Sequence, residues 1–247
     1  MMTAAQLKSI MPRLSETRIN EFLPFLAGAM AEFAIDTAPR AAAFLAQLAH
    51  ESGQFRFMEE IWGPTEAQRR YEPVTKLSQA LGNTQSGDGR RFKGRGPIQL
   101  TGRANYQRFG NLLSIDLVGE PARAANPDVA FRIAGLFWSK KGLNQLADRA
   151  TADAFKEITR RINGGTNGLA DRQAFYVVAR ESLGVETPPI PRGGRRAPIP
   201  SDDPAFDRGW EAIRAHRRRR AGGKKRTPTR KGKSTVSRKA VAKRRNR

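Results

Sequence analysis

The side chains that can do chemistry in this chain are mainly carboxylates. The sequence has no cysteine and only two histidines, His50 and His216. A disulfide framework and a thiolate nucleophile are therefore excluded, and a multi-histidine metal centre is not expected. We expect a protein that works with neither a metal nor a cofactor.

Two glutamates lie in sequence contexts that suggest a catalytic role. Glu51 follows the apolar run Leu48-Ala49-His50, just before Gly53, where a helix should end. A carboxyl group beside apolar residues is poorly solvated, so it can stay protonated near neutral pH and serve as a general acid. Glu60 follows nine residues later, and glycoside hydrolysis needs two carboxylates in different environments. Spacing alone leaves their separation open, because nine residues span anything up to about 30 Å, and such a pair is often only surface charge.

A glycine-rich segment runs from Gly82 to Gly102, with six glycines in 21 residues. Glycine at this density indicates turns and close backbone approach rather than helix. The segment also contains Phe92, Ile98 and Leu100, which a solvated linker does not need. We therefore expect a structured, functional segment, the alternative being a flexible surface loop.

The elements that must position these groups are predicted to be helices. Apolar residues recur at helical spacing, and capping residues and glycines mark the ends. Pro24 should kink or restart the first helix. The predicted helices cover 14–33, 41–50, the stretch from Asn126-Pro127-Asp128 to Gly142, the stretch from Thr151 to Gly164, and 170–183.

Charge divides the chain into two parts. Of the 45 basic and 23 acidic residues, residues 187–247 hold 21 and 4, which leaves 24 and 19 for residues 1–186. This distribution predicts a globular domain over 1–186, a Pro/Gly/Arg linker over 187–200 and a basic tail over 201–247. The tail should be mostly disordered, with one short helix near 206–215.

The sequence contains neither a run of about 18 apolar residues nor an N-terminal secretory pattern. We therefore expect no transmembrane segment. The corresponding expectation for location is the cytoplasm, until a holin or lysis releases the protein to the cell wall.

Several separate motifs together resemble glycoside hydrolase family 19. They occur in order over about residues 15–184, and the Leu81–Gly89 approach to the third motif resembles the phage endolysin branch. The motifs are His50-Glu51-Ser52-Gly53, Glu60, the run from Phe92 to Tyr106 (FKGRGPIQLTGRANY), Ile162-Asn163-Gly164-Gly165 and Asp171-Arg172. The resemblance implies a mainly α, two-lobed, lysozyme-like catalytic domain, with the glycine-rich segment lining the cleft.

The resemblance also implies catalytic roles for individual residues. Glu51 matches the general acid, Glu60 the general base, and Thr101 the hydroxyl that helps to hold the attacking water. Glu59 and Glu72 are alternatives for the base.

Further residues match the substrate-binding positions of the family. His50 is expected to be a structural hydrogen-bonding residue that supports Glu51 without itself transferring protons. Trp62, Phe92 and Tyr106 are candidates either for stacking on sugars or for core packing. The residues that match substrate-binding positions are His50, Gln99, Asn105, Tyr106, Asn163 and Arg172. One departure is Asn167, which stands where many chitinases of the family have a glutamate.

Three functions compete at this point. The first is a cell-wall endolysin that hydrolyses β-1,4 bonds of peptidoglycan with inversion, as a monomer. The second is a chitinase that applies the same chemistry to chitin or its oligosaccharides. The third, from another class, is nucleic-acid or anionic-polymer binding by the basic tail, with binding to nucleic acid only non-specific and binding to anionic envelope polymers through the same charges.

Overall fold

The computed structural model describes residues 2–185 of the 247. Within this range the chain forms eleven α-helices, one 3-10 helix and no extended strands, which confirms the predicted mainly α class. The 3-10 helix is Pro121–Ala125. The α-helices are α1 (Ala4–Ile10), α2 (Glu16–Glu32), α3 (Ala38–Ser52), α4 (Glu66–Arg69), α5 (Lys76–Leu81), α6 (Asp88–Arg91), α7 (Arg103–Leu113), α8 (Pro127–Lys140), α9 (Leu143–Ala147), α10 (Ala152–Asn163) and α11 (Leu169–Leu183).

Most helix ends lie where capping chemistry places them. The Thr151 side chain accepts a hydrogen bond from the backbone of Ala154 at the start of α10. Helices α3, α10 and α11 end at Gly53, Gly164 and Gly184, which all adopt the left-handed conformation. The Asn126 side chain, however, makes no capping hydrogen bond to α8.

Helix α2 does not restart at Pro24, although the sequence allowed either a kink or a restart there. The helix is continuous from Glu16 to Glu32 with the proline inside it. Pro24 is exposed, so the carbonyl of Asn20, which loses its helical N–H partner, can be reached by water.

The longer helices form one lobe around α3. Residues 41–49 of α3 are all buried, and five of them are alanines that let neighbouring helices approach closely. Helix α11 packs along α3, α2 packs on α8, and α1 bridges α2 and α11. The rings of Phe22, Phe55 and Phe131 meet edge to face in this core.

Helices α4 to α7 form the second lobe, together with the glycine-rich segment. Residues 58–60 pair antiparallel with residues 94–96, because Gly96 N donates to Met58 O and Glu60 N donates to Gly94 O, both at 2.8 Å. Arg95 and Leu100 exchange backbone hydrogen bonds to close a small hairpin. The segment is structured as predicted, but α6 within it is helical, which the glycine content alone did not indicate.

The basic part of the chain follows the described residues 2–185. The predicted linker over 187–200, the tail over 201–247 and the short helix near 206–215 all lie outside the described residues. Within residues 2–185, no helix is both long and apolar enough to cross a membrane.

Candidate active site

The predicted general acid Glu51 lies on the last turn of α3, facing α11. Arg172 Nη2 donates a 2.6 Å hydrogen bond to Glu51 Oε1. The Arg172 side chain is 2% exposed and that of Glu51 is 14% exposed. A guanidinium at this distance fixes the carboxyl group and stabilises the carboxylate that remains once a proton has left.

Behind Arg172 a chain of buried hydrogen bonds crosses three helices. Arg172 Nη1 donates to Gln47 Oε1 at 2.6 Å, and Gln47 Nε2 donates to Thr159 Oγ1 at 2.8 Å. The Thr159 hydroxyl donates to the carbonyl of Phe155 one turn earlier in α10. Gln47 precedes Glu51 by one helical turn, so both side chains face the same arginine. Sequence reasoning missed Gln47 and Thr159, whose only signal was a polar residue on an otherwise apolar face.

His50 makes a parallel contact to the neighbouring residue of α11. Its Nδ1 lies 2.5 Å from Asp171 Oδ2. The ring also packs against Gly168, where an added Cβ would come within 2.6 Å of His50 Nε2. This arrangement fits the supporting role expected of His50. His50 and Glu51 are neighbours on α3, and they contact Asp171 and Arg172, which are neighbours on α11.

The chain between the two glutamates is held in an unusual conformation. Gly53, Gln54 and Phe55 adopt positive φ angles of 60°, 63° and 57° in succession. Two of these are non-glycine residues in a region that such residues rarely occupy. Phe55 is fully buried and its backbone N–H donates to Ser52 Oγ. The burial of this ring offsets the strain and fixes how the chain leaves α3 toward Glu60.

The predicted base Glu60 lies in the second lobe and accepts hydrogen bonds from two neutral donors. Gln68 Nε2 donates to Oε1 at 3.1 Å, and Gly94 N donates to Oε2 at 3.1 Å. An ionised carboxylate offers about four acceptor positions, so capacity remains for a water molecule. Gln68 is buried and is itself fixed by the backbone N–H groups of Gly63 and Thr65.

Gly94 joins Glu60 to the other predicted residues of this lobe. A Cβ at Gly94 would lie 2.6 Å from Gln99 Oε1 and 3.3 Å from Thr101 Oγ1. Gln99 adopts a φ of 56°, and its Nε2 donates to the carbonyls of Phe57 and Gly96. Thr101 Oγ1 donates to Gln99 O at 2.8 Å, so this hydroxyl offers its lone pairs to a water. The structure therefore brings Glu60, Gln99 and Thr101 together around one glycine.

The assignment of Tyr106 to direct sugar contact is wrong. Tyr106 is fully buried, its hydroxyl donates to Lys93 O at 2.7 Å, and it accepts from Arg95 Nη1 at 2.9 Å. Burial raises the pKa of the Tyr106 phenol well above its ordinary value, with Arg95 opposing the effect. Phe92 is also fully buried, edge to face with Tyr106, so both rings belong to the core.

Two further predicted residues act mainly on the backbone. Asn105 is buried and its Nδ2 donates to Thr101 O, so it supports the hydroxyl residue rather than standing open in a groove. Asn163 Nδ2 donates to Asn167 O at 3.1 Å and closes the loop between α10 and α11. That loop carries Gly168 against His50, so Asn163 connects to the site through the loop.

The alternative bases are engaged elsewhere. Glu59 Oε1 accepts from Arg95 Nε at 2.9 Å and lies 3.3 Å from Lys93 Nζ. Glu72 Oε2 accepts from the backbone of Gly87. Neighbouring residues of an extended segment point to opposite sides, so Glu59 and Glu60 face different regions. Within residues 2–185, no cluster of three histidine, aspartate or glutamate side chains has the geometry to hold a metal ion.

Known proteins that are similar to this chain are family 19 glycoside hydrolases and chitinases. The glycoside hydrolase 19 family model, described as chitinase class I, matches residues 23–178. A Haemophilus influenzae protein described as a glycosyl hydrolase family 19 domain-containing protein is 36% identical over 158 residues, which is 55% of this chain and 76% of the relative. An Arabidopsis thaliana endochitinase is 40% identical over 152 residues, which is 58% of this chain and 48% of the relative. This chain therefore spans about half the length of that plant protein.

Solved structures share the fold. Chitinase C from Streptomyces griseus HUT6037 superposes with a TM-score of 0.59 at 24% identity, covering 76% of this chain and 78% of that chain. A bacterial family 19 chitinase superposes with a TM-score of 0.56 at 25% identity, covering 74% and 95%.

Proposed function

Because the chain belongs to glycoside hydrolase family 19, we propose that it hydrolyses β-1,4 glycosidic bonds of peptidoglycan by an inverting, two-carboxylate mechanism. The observation that carries the proposal is the contrast between the two glutamates. Glu51 is held by a buried arginine, whereas Glu60 is held by the neutral N–H groups of Gln68 and Gly94. The arginine stabilises the carboxylate that Glu51 becomes once it has given up a proton, and the two neutral donors leave lone pairs on Glu60 that can accept from a water molecule.

In the proposed reaction the proton of the Glu51 carboxyl passes to the glycosidic oxygen as the bond from that oxygen to the anomeric carbon breaks. A water molecule attacks the same carbon from the opposite face, and Glu60 takes one of its protons. The Thr101 hydroxyl accepts a hydrogen bond from this water. The products are a free alcohol and a reducing sugar of inverted configuration, and proton exchange with solvent restores both glutamates.

Arg172 has a defined role in this proposed reaction. When Glu51 gives up its proton, a negative charge develops 2.6 Å from a guanidinium that is already in place. Preorganised charge of this kind stabilises a transition state without reorganisation cost. Gln47 holds the guanidinium from behind, so the arginine does not have to move during the reaction.

Two observations favour peptidoglycan as the polymer. The chain has a net charge of +22, which suits an anionic wall rather than a neutral polysaccharide. Position 167, where many chitinases of the family place a glutamate, is an asparagine whose carbonyl accepts from Asn163. Release by a holin or by lysis belongs to the same proposal.

Chitin is the second candidate, because several relatives carry chitinase or endochitinase names. The same site and the same mechanism would serve it. Mass spectrometry of the saccharides released from purified peptidoglycan and from colloidal chitin distinguishes the two. Reduced muropeptides from peptidoglycan, absent with the Glu51→Gln variant, support the proposal, whereas turnover of chitin alone would replace it with chitinase activity.

A further inference from the structure

A basic pocket lies on the reverse side of the segment that carries Glu60. It is an open cavity of about 840 Å³ between α6, the 93–95 segment and the 119–123 segment. Five cations line it, and we name it the arginine pocket. Its cations are Arg90, Arg91, Lys93, Arg95 and Arg123, and its two carboxylates are Glu59 and Glu120.

The charges in the arginine pocket are incompletely neutralised. Five cations against two carboxylates leave a net charge of +3. Glu59 is shared between Arg95 and Lys93, and among residues 2–185 the Arg91 side chain donates hydrogen bonds only to the backbone carbonyls of residues 118 and 119. Arg90 makes no ion pair with any residue that the structure describes. A concave site with excess positive charge attracts an anion more strongly than a flat surface does.

The ion pairs in this pocket also fix its geometry. The Arg95 side chain is 8% exposed, and it is bound by Glu59, the Tyr106 hydroxyl and the carbonyl of Arg91. The buried Tyr106 therefore helps to hold Arg95, one of the cations that line the pocket, in place. Arg123 is different, because its partner Glu120 is exposed and 3.5 Å away. An exposed ion pair of this kind is worth little, so Arg123 can exchange it for a ligand.

The pocket adjoins the catalytic segment directly. Glu59 lines the pocket and Glu60 faces the opposite side, so only one backbone step, about 3.8 Å, separates their Cα atoms. A peptide branch on a glycan bound at Glu60 has to pass only this segment to reach the pocket. A branch of four residues spans about 13 Å when extended.

We propose that the arginine pocket binds the carboxylates of the peptide stems that branch from the glycan. This inference rests on the proposed function, because it assigns peptidoglycan with stems attached as the substrate class. Guanidinium groups bind carboxylates through paired hydrogen bonds, which suits the free carboxylates of an acidic peptide. Chitin has no such branches, so the pocket gives the enzyme a means to prefer peptidoglycan.

The first experiment measures binding to the full-length chain at physiological salt. The probe is the tripeptide L-Ala-γ-D-Glu-diaminopimelate, titrated by calorimetry into wild type, into Arg90→Gln/Arg123→Gln, and into the control Arg149→Gln/Lys156→Gln. The control removes the same charge from outside the pocket, and the remainder of the chain is identical throughout. We expect Kd to rise roughly tenfold in the pocket variant only. Equal weakening in both variants, or none in either, would overturn the proposal.

The second experiment uses hydrolysis to separate this inference from the proposed function. The substrates are glycan strands with their stems and the same strands stripped of stems by an amidase. We expect the pocket variant to lose roughly tenfold in kcat/KM on intact strands and nothing on stripped strands. Equal losses of kcat/KM on both substrates would contradict the binding of peptide stems by the arginine pocket.

Two further outcomes separate the proposed function from the binding site. If the wild-type chain hydrolyses neither kind of strand, the proposed function is wrong. The tripeptide titration still tests, independently of hydrolysis, whether the arginine pocket binds stem carboxylates. A glycerol-phosphate oligomer is the competing anion. If it binds more tightly than the tripeptide and shows the same dependence on Arg90 and Arg123, the assignment to carboxylates is wrong.

Discussion

Arg172 of α11 donates to Glu51 of α3 at 2.6 Å while its other terminal nitrogen donates to Gln47, one turn earlier on the same helix. The adjacent pair, His50 and Asp171, makes the same crossing one residue earlier. The end of α3 is thus fixed at two successive positions by two successive residues of α11. This register, set by the packing of α11 along α3, determines where the predicted acid points.

The first prediction concerns the acid. Glu51→Gln should lower the rate of glycan hydrolysis by about 10² to 10⁴, because an amide has no proton to give to the leaving oxygen. The amide oxygen can still accept from Arg172, so the fold should survive. Release of reducing ends gives the rate, and circular dichroism checks the fold. The control is Glu66→Gln at an exposed position, and a Glu51→Gln protein retaining more than a tenth of wild-type activity would remove the assignment.

The second prediction separates the neighbouring glutamates of the catalytic segment. Glu60→Gln should be severely impaired in kcat, because the amide cannot take a proton from water. Glu59→Gln should keep near-normal kcat but unfold at a lower temperature, since Arg95 and Lys93 lose their shared carboxylate. Initial rates and thermal melts on both variants measure the two effects. Added azide should partly restore Glu60→Ala, and an inactive Glu59→Gln beside an active Glu60→Gln would exchange the roles.

The third prediction concerns Gly94, which carries no functional side chain. A Cβ there would lie 2.6 Å from Gln99 Oε1 and 3.3 Å from Thr101 Oγ1, so Gly94→Ala should displace both. We expect at least a tenfold loss of kcat from a shift in the water-binding groups. The matched control is Gly28→Ala, where nothing lies within 4 Å of the added carbon. Unchanged kcat in Gly94→Ala would show that Gln99 and Thr101 have no part in the reaction.

The fourth prediction concerns stability and pH. Burial alone would raise the pKa of Asp88, but hydrogen bonds from Arg103 and from the backbone of Gln85 and Thr84 outweigh it and lower the pKa. A lowered folded-state pKa contributes stability above the unfolded value, near 3.9, that is lost as the pH falls below it. Asp88→Asn should therefore cost about 3 kcal/mol at pH 7 and progressively less below pH 4.

Urea unfolding of wild type and Asp88→Asn between pH 7 and pH 2 measures this difference. Asp36→Asn is the control, because its pair with Arg40 is exposed and should change stability by under about 1 kcal/mol. A gap between wild type and Asp88→Asn that stays constant over the acid range would contradict the lowered pKa.

The fifth prediction concerns the basic tail, which lies outside the described residues. Residues 212–247 hold 17 lysines and arginines and no acidic residue. Each cation near an anionic surface contributes about 1 kcal/mol, screened within about 8–10 Å at physiological salt. Truncation after Gly184 should weaken sedimentation with intact cells at low salt and leave hydrolysis of soluble glycan fragments unchanged. Equal pelleting of both proteins at low salt would leave the tail as a solubilising extension.

The sequence by itself determined the helical class and the approximate bounds of the five helices α2, α3, α8, α10 and α11, and it marked the two glutamates as candidates. Those features are local, because helical periodicity, capping residues such as Thr151 and terminating glycines such as Gly164 act within a few residues of the chain. The run GRGPIQLTGRANY carried the family resemblance in the same way. It also marked Gln99 and Thr101, which the structure places beside Glu60.

Tertiary structure alone decided which groups each of the marked residues contacts. Tyr106 belongs to a specific motif, yet it lies in the core because Arg95 and the carbonyl of Lys93 surround its hydroxyl. Gln47 and Gln68 looked like ordinary polar residues, and they hold Arg172 and Glu60 only because distant segments pack against them. Periodicity reports which face of a helix is apolar; it does not report which polar group from elsewhere in the chain will meet a particular side chain.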